Sequence, residues 1–489
     1  MLNVHKIIIL ALCMSFNITC TDPNKFKVEE YVSHPAFELE LTIANPNTQV
    51  TLPLLRTYNS GVSFYQYNFT VNYGDGTDLK TITAYNDPDG IHTYVNPGTY
   101  RLKISGLCEN FHIKDAYYDN TAFGLLITRI IHWGQTKFIN INFTECFNLK
   151  SINKPEAGCF ALIQDFKRVF YLCIGLQVIP DGLFDSAVSA TSFEDTFLDC
   201  INLLAIPVGL FDENILVTNF KGTFRGCVSL SVIPNNLFRY NPLVTTFEQT
   251  FYSNVNQPSG ITVIPDDLFR YNPNVITFKE TFFFSDIPAI PAGLFRYNPL
   301  VTSFYATFWG CTKLLQIPVG LFRYNTAVTT FYGVFVDCLL LTTIPADLFR
   351  YNVLATNFDR CFETCIALAT IPADLLRYNV LATTFDRLFM DLPITVIPVD
   401  LFRYNVAALN FKQVFYNCVY IATIPAGIFS YNTLVTSYES AFQMQIPKVF
   451  AGNAPALWSL VPEPTGTNCF TNCTGFTNYA AIPNDWKGL

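Results

Sequence analysis

The chain has 489 residues, 50% of them hydrophobic and only 14% charged, with a formal net charge of −8. Such a length allows two or three domains with ample core-forming material, and the lack of any polybasic block speaks against nucleic acid as a partner. Only five histidines occur, the last being His132, so the rest of the chain lacks the usual general base.

The first stretch, MLNVHKIIILALCMSFNITC, has one basic residue (Lys6), an apolar run from Ile7 to Phe16 and a polar end. It reads as a secretory signal too short to span a bilayer. Thr19 followed by Cys20 is similar to the cleavage site of bacterial lipoproteins, which implies lipidation of Cys20; Asn17 departs from the leucine usual there. Residues 21–35 form a polar tether to that anchor.

Residues 36–122 alternate apolar and polar residues in FELELTI, YQYNFTVNY and YRLKISG, with turns at GDG (74–76), NDPDG (86–90) and NPG (96–98). Short strands with this punctuation predict an antiparallel β-sandwich. VNYGDGTD followed by HTYVNPGTYRLKISG resembles a polycystic-kidney-disease-type (PKD) immunoglobulin-like domain, with Tyr73 where tryptophan is commoner. The resemblance implies a spacer or adhesion module. Asp75 in its turn is read as an Asx cap rather than a calcium ligand.

From about residue 138 to 445 the chain is periodic. The marker isoleucines at 152, 179, 206, 233, 264, 290, 317, 344, 371, 397 and 424 are 26 or 27 residues apart, except for one step of 31 that carries an insert at 253–263. A fixed period of this size means a solenoid. In the unit IPAGLFRYNPLVTSFYATFWGC (290–311), the LxxIP and VTxF runs suit short strands paired between coils. PAGLFRYN suits a brief helical turn, with Pro291 at its first position, Asp347, Asp374 and Asp400 in the first turn of later copies, and Asn as a left-handed stop. Phe304, Phe331, Phe358, Phe385 and Phe411 form one column, Phe308, Phe335, Phe362, Phe389 and Phe415 a second, and Phe295, Phe322, Phe349 and Phe402 a third, all expected as stacked core.

VTSFYATFWGCTKLLQIP resembles the BspA-like leucine-rich repeats of bacterial surface proteins, with GLFRYN as a variant insertion. The resemblance implies a right-handed leucine-rich-repeat solenoid of mixed short β-strands and helical turns over 123–445, with an N-terminal cap at 125–143. Residues 446–489 then form the C-terminal cap that an open solenoid core requires. It further implies a secreted cell-surface binding or adhesion protein, monomeric and non-enzymatic, with an extracellular protein or glycan as ligand and a lipid-anchored membrane attachment. A glycan-uptake component and a structural surface protein are the competing classes.

Eight of the 15 cysteines (146, 173, 200, 227, 311, 338, 365, 418) share one repeat position. A reduced, packed ladder is the preferred reading, with Cys469 and Cys473 the best-placed pair for a disulfide. No His or carboxylate accompanies them, so neither metal nor cofactor is expected. Asp359, Asp386 and Glu363 read as solvated faces.

One motif is left over. LFRYN and its copies place Arg239, Arg270, Arg296, Arg323, Arg350, Arg377 and Arg403 beside Tyr240, Tyr271, Tyr297, Tyr324, Tyr351, Tyr378 and Tyr404, with Tyr431 following. At about 4.8 Å per coil the seven arginines make a row about 30 Å long. Copied architecture explains such a row, and so does a basic-aromatic stripe that binds an acidic partner.

Overall fold

A computed structural model describes residues 35–58 and 63–489. The signal stretch, Cys20 and nearly all of the tether lie outside the described residues.

The first part is strand-rich: β1 (Phe37–Ile43), β2 (Thr48–Thr51), β3 (Thr57–Tyr58), β4 (Ser63–Phe64), β5 (Tyr67–Asn72), β6 (Lys80–Ile82), β7 (Ile91–Tyr94), β8 (Gly98–Cys108) and β9 (Asn110–His112). A four-residue helix α1 (Thr121–Gly124) precedes β10 (Ile127–His132), β11 (Asn140–Asn142) and β12 (Ser151–Ile152). The main sheet runs β12-β10-β1-β8-β5-β6, and β2–β7 and β3–β4 form separate antiparallel pairs. Alternation in the sequence is matched by alternate burial, as in β5, where Tyr67, Phe69 and Val71 are buried and Asn68 and Thr70 exposed.

The sheet does not stop where the repeats begin. β1 pairs with β10, and β10 pairs in parallel with β12 of the first coil. β9 pairs in parallel with β11, matching Asn110–Asn140 and His112–Asn142. Trp133 seals the junction, fully buried against Phe160 at 4.8 Å and Phe143 at 5.8 Å. The Glu156 carboxylate accepts the N–H groups of Trp133 and Gly134, both at 3.0 Å.

The coils themselves contain neither the strands nor the helices that their sequences suggest. Between β12 and β13 (Lys448–Val449) no strand or helix forms among the described residues; neighbouring coils meet at single-residue parallel bridges such as Ser303–Thr330, Thr330–Asn357 and Asn357–Thr384. The reason lies in the backbone. Left-handed φ recurs at the second residue after each first-column Phe, from Arg168 through Ala306 (φ 50°) to Ser440, and in most coils again four residues later, as at Gly310 (φ 72°) and Asp337 (φ 55°). A left-handed residue breaks an extended strand, at a cost of about 1–2 kcal/mol where it has a side chain. What it permits is a run of aligned donors: the N–H groups of Phe304, Ala306, Phe308 and Gly310 reach carbonyls of Thr330, Tyr332, Val334 and Val336 in the next coil at 2.8–3.2 Å.

The core is aromatic, as the repeat spacing predicted. First-column rings stack between coils at 5.2–6.0 Å (Phe385–Phe411 at 5.2 Å, Phe304–Phe331 at 6.0 Å), and second-column rings do the same (Phe308–Phe335 at 5.8 Å). Third-column rings tilt onto the first, with Phe304–Phe322 at 4.6 Å. Leu376 interrupts the third column. At the far end, β13 pairs in parallel with β14 (Cys473–Thr474), and Trp486 of α2 (Asn484–Lys487) covers Phe470, closing the core.

Candidate binding stripe of arginine and tyrosine

The segment that carries the stripe is built from consecutive tight turns. In AGLFRYN the N–H of Leu294 reaches Pro291 O at 3.1 Å, Arg296 reaches Gly293 O at 3.0 Å and Asn298 reaches Phe295 O at 3.3 Å. These three-residue closures never extend into a helix, so neither the expected proline at a first helical position nor the dipole role of Asp347, Asp374 and Asp400 applies. Leu294 and Phe295 enter the core, Arg296 and Tyr297 face outward, and Asn298 turns back inside with no exposed surface.

That asparagine overturns one reading. It is not a left-handed stop: none of Asn214, Asn241, Asn272, Asn298, Asn325, Asn352, Asn379, Asn405 and Asn432 has positive φ. Each is instead a rung. Asn298 Nδ2 donates to Phe269 O at 3.0 Å and Asn272 O at 2.9 Å in the preceding coil, and Asn325 Nδ2 repeats this toward Phe295 O and Asn298 O. Buried carbonyls of tight turns need donors, and the side-chain amide supplies two. Since each turn is pinned to the one before it, every Arg and Tyr emerges in register.

The outward side chains interlock. Arg296 lies 5.7 Å from the ring centre of Tyr297 in its own coil and 5.3 Å from Tyr324 in the next; Arg323 lies 5.8 Å from Tyr324 and 5.2 Å from Tyr351. Arg239, Arg270, Arg350 and Arg403 repeat the pattern up to Tyr431. Arg377, in the coil with Leu376 for Phe, lies over the next ring, Tyr404, at 5.2 Å. Two exposed cation–π contacts of about 0.5–1 kcal/mol each outweigh repulsion of about 0.8 kcal/mol between like charges 5 Å apart in water. The row is therefore stable by itself.

Its charge is unevenly compensated. Asp267, Asp374 and Asp400 reach Arg270, Arg377 and Arg403 at 3.2, 3.2 and 3.3 Å. Arg239, Arg296, Arg323 and Arg350 have no carboxylate partner among the described residues. The slot three residues earlier holds Asn236, Gly293 and Gly320 in three of these, and in the fourth Asp347 forms no ion pair.

Other expected residues find structural places. Asp75 Oδ1 accepts from Thr77 N–H (3.1 Å) and Oγ1 (2.6 Å), an Asx turn, and Oδ2 lies 2.8 Å from His92 Nε2. Burial works to raise its pKa, but the Thr77 and His92 hydrogen bonds outweigh burial and hold it below the usual carboxylate range. The repeat cysteines are free and buried, and from Cys173 onward Sγ donates to a phenylalanine carbonyl one coil back, as from Cys311 to Phe282 at 3.3 Å. Cys469 and Cys473 are also free; Cys473 makes the same bond, to Phe442 at 3.0 Å. No group of three His, Cys, Asp or Glu among the described residues is placed to hold a metal, and no described helix is long and apolar enough to cross a membrane.

The carboxylates at Asp359, Asp386 and Glu363 are not solvated. They are half-buried, and burial raises the pKa of all three. Asp359 Oδ1 accepts the N–H of Asp386 at 2.7 Å. Asp359 and Asp386 belong to a column that the sequence reading missed, the residue after each first-column Phe, whereas Glu363 follows Phe362 of the second column. Lys167–Glu194 (2.9 Å), Glu248 with Lys221 and Lys279 (3.2 and 3.3 Å), stacked Tyr305–Tyr332 (4.6 Å) and Lys412–Glu439 (3.0 Å) follow one another along it. The available signal was alternation of sign at the repeat period.

No family model and no curated protein matches the chain. Similar solved structures include a chain of the Toll–Spatzle complex of Drosophila, a molecular hub in development and innate immunity, at 14% identity and TM-score 0.28, covering 81% of this chain and 50% of that one. The functional domain of InlJ from Listeria monocytogenes, which includes a cysteine ladder, aligns at 11% identity and TM-score 0.25, covering 68% and 76%. TLR13 in complex with ssRNA13 aligns at 12% and 0.17, covering 56% and 48%. All three are leucine-rich-repeat proteins. This chain spans half the length of the Toll-complex chain, and at such TM-scores its fold rests on its own coil geometry.

Proposed function

We propose that this chain is a non-enzymatic binding protein of the bacterial cell surface, a BspA-like leucine-rich-repeat solenoid of right-handed coils lifted from the membrane by a PKD-like module and a lipid on Cys20. Its ligand is an acidic extracellular or matrix protein, held along the arginine–tyrosine stripe. The observation that carries this reading is the state of the central arginines: the guanidinium groups of Arg296, Arg323 and Arg350 lie against tyrosine rings, while no carboxylate among the described residues pairs with them. Uncompensated guanidinium groups already resting on tyrosine rings suit carboxylates of a partner, because part of the side-chain entropy has been lost before binding.

The test is capture from an extracellular-matrix extract on immobilised protein at rising sodium chloride. Wild-type capture is expected to fall as salt screens the stripe. The R296A/R323A/R350A variant is expected to lose the salt-sensitive fraction, and arginine-to-lysine replacements to recover part of it. Equal capture and equal salt dependence in wild type and the alanine variant would refute the reading.

A further inference from the structure

A second surface lies at the junction of the strand-rich part and the first coils. Above paired β9 and β11, the segment 54–57, the turn 115–118 and residues 162–165 enclose a cleft of ≈ 1110 Å³ that opens to solvent. Four tyrosines line it: Tyr65, Tyr85, Tyr117 and Tyr118.

Tyr117 has no part in the fold, being 99% exposed, yet the turn that presents it is held tightly. Asp115 Oδ1 accepts the N–H groups of Tyr117 and Tyr118 at 2.7 and 2.9 Å, Asp115 N–H returns to Tyr118 O at 2.8 Å, and Lys114 and Asp119 bridge beneath. The braced backbone holds out a fully exposed ring for a contact that no described residue makes. Tyr85, 40% exposed, stands on the same cleft.

Part of the polar lining is unspent too, though Asp115 and Asp165 serve their own turns. Asn140 Oδ1 takes bonds from Asn110 Nδ2 and His112 Nδ1, both at 3.0 Å, which leaves Asn140 Nδ2 without a partner among the described residues. The side chain of Gln164 is exposed and likewise unpartnered there. On the floor, His112 is 7% exposed, and its Nε2 has no hydrogen-bond partner among the described residues although Asp115 Oδ2 is 3.2 Å away. Since Nδ1 faces an amide oxygen it carries the proton, so Nε2 presents a lone pair toward the carboxylate and no bond forms. Burial keeps this ring neutral, against the pull of Asn140 and Asp115.

We infer that this cleft binds a neutral carbohydrate chain, with the rings of Tyr85 and Tyr117 against sugar faces and the amides of Asn140 and Gln164 on hydroxyls. A sugar ring offers a C–H face bordered by hydroxyls, which matches flat exposed aromatics beside neutral amides. A peptide would call for a free strand edge or an apolar anchor pocket, and a small apolar ligand for a more enclosed cavity.

The experiment is native electrophoresis of the protein through gels containing soluble mixed-linkage β-glucan, xyloglucan, galactomannan or amylopectin. Retardation is expected on at least one, about tenfold weaker in Y85A/Y117A, as for the loss of an interface aromatic anchor. The R296A/R323A/R350A variant, each protein's mobility being taken relative to its own in a polymer-free gel, should be retarded as much as wild type, which separates this site from the stripe. Both tyrosines are exposed, and an unchanged melting temperature checks that the variant folds. No retardation on any of the four polymers, or equal retardation in wild type and Y85A/Y117A, overturns the proposal. So does loss of binding to a random peptide library in Y85A/Y117A where no polymer binds, an outcome that would reassign the cleft to peptide.

Discussion

Replacing Asn325 with alanine tests the rung that holds the stripe in register. The carbonyls of Phe295 and Asn298 lose amide donors at 3.0 and 2.9 Å. Neither carbonyl is wholly orphaned: Asn298 N–H remains 3.3 Å from Phe295 O and Val301 N–H 3.4 Å from Asn298 O. The loss per carbonyl therefore belongs near the lower end of the about 1–3 kcal/mol for an unsatisfied buried group, and the pair comes to about 2–3 kcal/mol. Two smaller effects oppose each other. Asn325 Oδ1 is buried without a partner, and its removal relieves about 1 kcal/mol. The vacated amide leaves a void that costs about the same. A net destabilisation of about 2–3 kcal/mol follows. A long repeat array need not unfold in one step, so the assay is local: hydrogen exchange of amides in residues 290–345, with a thermal scan beside it. Thr326→Ala, at the exposed next residue, is the control. If the two variants exchange within about 0.5 kcal/mol of each other, the usual span of surface substitutions, the amide column is not what pins the turns.

Two other predictions concern buried titratable groups. Burial raises the pKa of Asp386, with Arg387 opposing and Asp359 adding to the rise, and burial likewise raises Asp359. The folded chain thus holds these protons more tightly than the unfolded chain, and stability falls as pH rises from the ordinary carboxylate value through the folded ones. Asp386→Asn should raise the melting temperature at pH 7 and leave it nearly unchanged below about pH 3.5, where the native carboxyl is protonated in both states; an equal effect at both values would contradict the assignment. The 13 described cysteines are buried and free, and burial pushes the Cys159 thiol up to about 12. They should ignore a thiol reagent until the chain unfolds and then react in full, with no change of gel mobility on reduction; prompt labelling of Cys311 or Cys338 would show the ladder to be open.

The period, the three phenylalanine columns, the free cysteine column and the alternating strands of the first part were legible because each depends on burial, and burial writes itself into sequence as spacing. The outward pair in LFRYN was legible too, since Leu and Phe claim the core from either side of one tight turn. Backbone conformation was not. The sites of left-handed φ hold Arg168, Asp195, Gln249, Ala306 and Arg387 as well as glycine, so no residue type announces them. They turn expected strands into lone bridges. Asparagine misled for a related reason. It is common both at left-handed positions and wherever a short amide can serve two carbonyls, and Asn298 is the second kind. Asp359 and Asp386 were misread because exposure was inferred from polarity alone. The junction cleft was invisible, because its tyrosines come from segments far apart in the sequence that meet only in the fold.

The two proposed surfaces differ in what could have produced them. A column that repeats at every coil arises by duplication whether or not it is used, and the arginine–tyrosine row also stabilises itself through its own ring contacts. Repetition therefore cannot by itself argue for a ligand; only the departures from it can, namely the central coils where Arg296, Arg323 and Arg350 have no ion-pair partner among the described residues while Arg270, Arg377 and Arg403 do. The cleft is the opposite case. Tyr117 occurs once, contributes no burial and sits on a turn fastened by Asp115, so neither duplication nor packing accounts for it. If the protein uses both, the stripe would supply salt-sensitive attraction along the coils and the cleft a salt-insensitive contact at their base. Salt titration of capture in the two variants then divides the binding between them: the arginine variant loses the sloping part, and the tyrosine variant loses the plateau.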